Sequence, residues 1–137
     1  METFKCPESI SDLNEVLTVK ELLCVNVWRE LSHSQRTLIK FLQHLKSILY
    51  RRTVKIFVDK EAKHLKITTY KSTFEIGNGV MLFKRVNALG ETVIDIARVD
   101  SEKTNFIIDF IADFIEKNLL TDKEIVIPKY VLLDYLT

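Results

Sequence analysis

The feature that most constrains the fold is one segment, residues 102–119, that is apolar around most of its circumference if it forms a helix. At 100° per residue its apolar side chains cover roughly 240°, and its acidic side chains fall on one narrow arc. A helix that lies on the surface of a domain needs a much narrower apolar stripe. We therefore expect this helix to be covered on two sides, by a sheet and by other helices or a second subunit. Within residues 106–116 the acidic residues are Asp109, Asp113 and Glu116.

The part of the chain before residue 52 is predicted to be helical. Residues 1–10 contain Pro7 and no apolar period, so they predict a loose lead-in. Three later motifs have the spacing of a capping box; the first fits the cap of a short turn, and the other two mark the start of a helix. The third opens the clearest helix, residues 35–50, in which apolar residues recur every three or four positions. The motifs are Asp12-x-x-Glu15, Thr18-x-x-Glu21 and Ser32-x-x-Gln35.

The middle of the chain is predicted to form a sheet, because its apolar period falls from 3.6 to 2 residues. Short connections, such as Gly77-Asn78-Gly79, favour a five-stranded antiparallel meander at about residues 53–99. The long buried helix follows at about residues 101–119, and a short strand and helix close the chain after Ile125 and Pro128. The predicted fold is therefore α+β, in a single domain over residues 1–137.

Composition restricts the class of protein. An apolar fraction of 47% and a charged fraction of 28% are typical of a globular domain. The apolar runs are shorter than the roughly 20 residues of a membrane span, so none is predicted. Cys6 and Cys24 form no Cys-x-x-Cys motif, and no leader is recognised, so we expect a reduced intracellular protein, cytoplasmic or nuclear. We interpret Cys24 as a core residue and not as a reactive thiol.

No motif for catalysis, metal binding or cofactor binding is found in the sequence. His33, His44 and His64 have no carboxylate or thiol at the spacing of a metal site. The chain has no Gly-x-Ser-x-Gly motif and no phosphate-binding loop. We predict a protein that is not an enzyme and holds no metal or cofactor. Asp95, between two isoleucines, is expected either at the solvent face or against a basic group.

Charge is distributed unevenly along the chain, although the net charge is only +1. Residues 35–71 contain ten Lys and Arg against two Asp and Glu, whereas acidic residues exceed basic ones in residues 1–34 and 72–137. Basic side chains beside Phe57 and Tyr70 on a strand would suit single-stranded nucleic acid or an acidic partner. The candidate residues are Arg36, Lys40, Lys46, Arg51, Arg52, Lys55 and Lys66.

Two functional hypotheses follow, and no family signature decides between them. The first is a non-catalytic subunit that docks another protein within a larger complex, or a second copy of itself. Its contact residues would be aromatic side chains of the long helix and the C-terminal tail, although for each residue taken singly the core of a monomer is the favoured interpretation. The second is a nucleic-acid-binding module that uses the basic residues above. The protein-contact candidates are Phe106, Phe110, Phe114, Tyr130 and Tyr135.

Overall fold

The computed structural model describes residues 4–48, 54–118 and 124–136, and its fold is α+β, as predicted. Arg51 and Arg52 lie outside these residues. The helices are α1 (Val19–Leu22), α2 (Val25–Glu30), α3 (His33–Ile48) and α4 (Thr104–Asn118). The strands are β1 (Val16–Thr18), β2 (Lys55–Asp59), β3 (His64–Thr68), β4 (Ser72–Gly77), β5 (Val80–Val86), β6 (Thr92–Arg98) and β7 (Val126–Pro128). A 3-10 turn (Ile10–Asp12) precedes β1, and a π-helical segment (Val131–Tyr135), here called the C-terminal turn, follows β7.

The antiparallel meander is confirmed. Strands β2 to β6 lie in the order of the sequence, and each pairs antiparallel with the next. Asn78 and Gly79 have φ angles of 55° and 75°, the positive values that a tight hairpin turn requires. Both β2 and β6 are therefore edge strands of this sheet.

Helix α3 covers the inner face of the meander. Its predicted capping box is present, because Ser32 Oγ accepts from the Gln35 amide and Gln35 Oε1 accepts from the Ser32 amide. The Phe41 ring stacks on Phe74 at a centroid distance of 3.7 Å and meets the Phe83 ring edge-on at 5.6 Å. These aromatic contacts form the centre of the hydrophobic core.

The N-terminal helical prediction is partly wrong. No helix starts at Asp12: Val16–Thr18 is a strand, β1, and it pairs antiparallel with β7 in a separate two-stranded sheet. The backbone groups of β1 find their partners more than 100 residues away, so no local pattern identifies the strand. The capping box of Thr18 and Glu21 is confirmed, but it opens only α1, and α2 starts separately after Cys24.

The two cysteines are joined by a disulfide, so the expectation that they are reduced is wrong. Cys24 is buried, as expected, but it is bonded to Cys6 with a Cα–Cα distance of 5.7 Å. The bond holds the lead-in segment against the junction between α1 and α2. Glu30 strengthens this attachment, because its Oε2 accepts hydrogen bonds from Ser9 Oγ and the Ile10 amide. The described part of the lead-in is therefore not loose.

Helix α4 is buried on one side only. Its first residue is Thr104, later than predicted, because residues 101–103 form a turn in which Asp100 Oδ1 accepts from the Glu102 amide. Phe106 is 50% exposed, so the expected second cover over the helix is incomplete. The buried residues of this helix are Thr104, Ile107, Ile108, Ile111, Phe114 and Ile115. No helix within residues 4–48, 54–118 and 124–136 is both long and apolar enough to span a membrane.

Candidate functional site: an aromatic groove

The structure brings the five aromatic candidates together in one groove between α4, β7 and the C-terminal turn. The groove, here called the aromatic groove, has a volume of about 460 Å³. Binding sites for small ligands span roughly 300–1,000 Å³, so this volume accommodates a few apolar side chains of a partner. The lining residues are Phe106, Asp109, Phe110, Asp113, Phe114, Lys117, Val126, Pro128, Tyr130, Val131 and Tyr135.

Contacts between aromatic rings form the wall of the groove. Phe106 stacks on Tyr135 with centroids 5.0 Å apart, and Tyr135 meets Tyr130 edge-on at 5.5 Å. Phe110 and Phe114, one helical turn apart, have centroids 6.3 Å apart. Phe114 is buried at the base, whereas Phe106 and Tyr130 are each 50% exposed. The wall thus consists of two groups of rings, and the exposed rings at its upper edge are accessible to a partner.

Hydrogen bonds from distant segments hold the C-terminal side of the groove in place. Gln35 Nε2, on α3, donates to the carbonyl oxygens of Leu132 and Leu136 at 2.6 and 3.2 Å. The Lys129 amide donates to the Glu15 carbonyl at 2.7 Å, and Lys129 Nζ donates to the Leu13 carbonyl. These bonds attach the segment that carries Tyr130 and Tyr135 to α3 and to the residues before β1, and so hold that side of the groove in place.

The rim of the groove carries two carboxylates, Asp109 and Asp113, and one lysine, Lys117. Helix α4 and the C-terminal turn together contain four acidic residues and one basic residue. Asp113 pairs with Lys117 at 3.1 Å, and Asp109 pairs with Lys60 of the β2–β3 connection. The side chains of both carboxylates are more than half exposed, and ion pairs at such positions contribute little stability. A cation from a partner could therefore replace either lysine at small cost.

The basic candidates that the structure describes on α3 contact different parts of the molecule. Arg36 donates from Nε and Nη2 to the Trp28 carbonyl at 3.1 and 2.9 Å, and so joins α2 to α3. Lys40 faces Asp95 at 3.5 Å across the interface between α3 and β6. Lys46 lies near Leu23 and Glu124, beside α1. These three cations serve different parts of the molecule.

Lys55 and Lys66 do lie on one face, the outer face of the meander. In the strand register Lys66 is opposite Phe57, and Lys55 precedes Phe57 by two residues on the same face. Phe57 is 53% exposed. This pair matches the predicted combination of cations with an aromatic side chain, but it lacks the cations of α3.

A polar cluster lies under α3 and contains Asp95. Of the two positions expected for Asp95, the structure shows the one against basic groups. The Asp95 carboxylate accepts from Arg85 Nη1 at 2.8 Å. Burial alone raises the pKa of Asp95, but the hydrogen bond from Arg85 and the charges of Lys40 and Arg85 outweigh this effect and lower it. His44 Nε2 lies 2.8 Å from Ser72 Oγ, and burial followed by the charge of Arg85 lowers the pKa of His44.

Sequence reasoning found the aromatic residues of the groove but missed its rim and its anchor. The sequence places Asp109 and Asp113 on one stripe of α4, and the structure leaves both side chains more than half exposed, but their spacing alone does not show that they border a groove. Gln35 was assigned only to a capping box, and nothing in its neighbourhood indicates the bonds to Leu132 and Leu136. That contact joins residues about 100 positions apart, and the periodic patterns of a sequence reveal only contacts between near neighbours.

Comparison of the chain with protein-family models, with curated proteins and with solved structures finds no match. Within the described ranges, no group of three or more His, Cys, Asp and Glu side chains is placed to hold a metal ion. The functional interpretation therefore depends on the geometry and charge of the groove.

Proposed function

We propose that the protein is a non-catalytic interaction subunit whose aromatic groove binds a segment of another protein. The observation that carries this proposal is the convergence of Phe106, Phe110, Phe114, Tyr130 and Tyr135 on one groove. Aromatic residues are enriched at the centres of protein interfaces, because they bury large areas at a small cost in conformational entropy. Half of the surface of Phe106 and Tyr130 is still exposed and is available for such burial.

The chemistry of the groove selects the kind of segment. Its wall is apolar and aromatic, and its rim carries Asp109 and Asp113, with Glu116 and Asp134 exposed on the same two elements. A complementary segment places apolar side chains in the groove and Lys or Arg at the rim, and opposite charges also accelerate association. The expected occupant is therefore a basic amphipathic helix of a partner protein.

The test is titration calorimetry with two synthetic amphipathic peptides of equal length, one of leucine and lysine and one of leucine and glutamate. We expect the lysine peptide to bind, and the glutamate peptide to bind at least about tenfold more weakly, because it faces carboxylates at the rim. Equal affinity for the two peptides would contradict the proposed role of the rim.

Matched variants locate the binding surface. Phe106→Ser should weaken binding of the lysine peptide by about tenfold or more, as expected for an aromatic anchor. Phe57→Ser is the control, because Phe57 is equally exposed but lies on the outer face of the meander. Asp113→Asn should weaken binding severalfold, whereas Glu102→Gln, an exposed carboxylate outside the groove, should not.

The nucleic-acid hypothesis is the alternative, and it is tested by titrating the same protein with a single-stranded oligonucleotide. Lys55 and Lys66, beside Phe57, are the described residues best placed for it. Tight, salt-sensitive binding of a single-stranded oligonucleotide that is lost in Lys66→Gln, together with no peptide binding, would overturn the docking proposal. The dispersal of Arg36, Lys40 and Lys46 is why we favour the groove.

A further inference from the structure

Strand β6 has one unpaired edge, and its register identifies the backbone groups that point outward there. The Asn87 amide donates to the Glu91 carbonyl and the Val99 amide donates to the Gly79 carbonyl, each at 2.9 Å. In an antiparallel ladder the bonded pairs alternate, so the odd-numbered residues between 91 and 99 bond to β5. The N–H and C=O groups of Thr92, Ile94, Ile96 and Arg98 point away from β5, and no hydrogen bond to them is found in the described residues.

The side chains beside this edge are apolar. Ile94 and Ile96 are 50% and 56% exposed on the outer face of the sheet. Leu82 is paired with Ile96 in the register and extends the apolar surface onto β5. Long apolar edge strands pair readily with other strands, and proteins usually protect them with charges, prolines or bulges. Between Val93 and Ala97 the only charged residue is Asp95, on the inner face and already paired with Arg85.

We propose that two copies of the chain pair antiparallel through β6, which makes a continuous sheet across a two-fold axis at Asp95. The segment Ile94-Asp95-Ile96 reads the same in both directions. This register therefore forms two equivalent pairs, in each of which Ile94 of one copy lies opposite Ile96 of the other. The backbone N–H and C=O groups of both residues point away from β5, as a hydrogen-bonded pair with a second strand requires. A register centred on Ile94 would instead place Ile96 opposite Thr92. The sequence of the edge is therefore self-complementary, which selects a second copy over a foreign strand.

The pairing surface is separate from the aromatic groove, none of whose lining residues belongs to β6. At the axis the two Asp95 side chains approach one another on the inner face. Each is held by Arg85 and Lys40 of its own copy, so the carboxylates meet with their charges compensated. Dimerisation would leave both grooves open, and one assembly would present two binding sites for a partner.

The test is site-resolved amide hydrogen exchange of the wild-type protein at low and high concentration, with the mass measured by light scattering. The amides of Ile94 and Ile96 should be protected at least about tenfold more strongly at high concentration, where the mass doubles. The amides of Val93 and Asp95 bond to β5 and should be protected at both concentrations. A monomer at every concentration, or a dimer in which Ile94 and Ile96 exchange freely, would overturn the proposal.

Two variants complete the test. Ile96→Lys should give a folded monomer, because it places a charge at the proposed interface. Ile56→Lys is the control, because Ile56 is 47% exposed on β2, at the opposite edge of the sheet. The Ile56→Lys variant should still form the dimer. Loss of the dimer in Ile56→Lys but not in Ile96→Lys would place the interface at the other edge and contradict the assignment.

Discussion

Helices α3 and α4 both carry phenylalanine, but they use it differently. Phe41 on α3 is 1% exposed and is stacked on the sheet, whereas Phe106 on α4 is 50% exposed and contacts only one side of the groove. Fully burying a phenylalanine side chain is worth about 1.5–3 kcal/mol relative to leaving it in water. Much of that free energy is still available at Phe106, so α3 serves folding and the exposed side of α4 is suited to binding.

The largest expected effect is that of removing the core aromatic ring of α3. Phe41→Ala should lower the free energy of unfolding by about 3–5 kcal/mol, because it leaves a cavity against Phe74 and Phe83. Phe106→Ala should lower it by about 1 kcal/mol or less, since half of the ring is already in water. Urea unfolding measures both values. Equal losses would erase the proposed difference between the two helices.

An intermediate effect is expected at Gln35, which joins α3 to the groove. Gln35→Glu keeps an acceptor for the Ser32 amide but loses the donor to Leu132 and Leu136, so a carboxylate faces two carbonyl oxygens. A buried group left without its partner costs about 1–3 kcal/mol. Urea unfolding should show that loss, and the ring signals of Tyr135 should shift in NMR spectra. Wild-type stability and unchanged signals would mean that Gln35 does not hold the groove.

The smallest effect is a dependence of stability on pH that arises from His44 and Asp95, under α3. The pKa of His44 is lowered in the folded protein, so the unfolded chain binds a proton first and stability falls as pH drops below about 6.5. The pKa of Asp95 is also lowered, so its contribution is present above pH 3.8 and is lost as pH falls through the folded value. Thermal unfolding between pH 7 and 3 measures both steps. His44→Gln should remove only the first, and stability that rises on acidification would contradict both assignments.

Much of the architecture could be predicted from local sequence. The period-2 segments of the meander, the turn at Asn78 and Gly79 and the capping boxes of α1 and α3 depend on neighbouring residues, and all are present. The aromatic members of the groove were also identifiable, because residues 106–114 carry more apolar surface than one face of a helix can bury.

The rest depends on contacts that sequence patterns do not contain. The pairing of β1 with β7, the disulfide of Cys6 with Cys24 and the anchor at Gln35 each require the folded chain to bring separate segments together. The prediction of a single basic surface fails for the same reason. The clustering of basic residues in sequence does not place Arg36 and Lys66 on one surface, because α3 and the outer face of the meander point in different directions.

The measurement that tests the central claim most directly is an NMR titration of the protein with the leucine–lysine peptide, followed through the aromatic ring signals. If the groove is the binding site, the signals of Phe106, Phe110, Tyr130 and Tyr135 should move together and saturate, while those of Phe41, Phe74 and Phe83 stay unchanged. Shifts confined to Phe57 and Tyr70, the aromatic residues of the nucleic-acid hypothesis, or no saturable shift at the groove, would contradict the account.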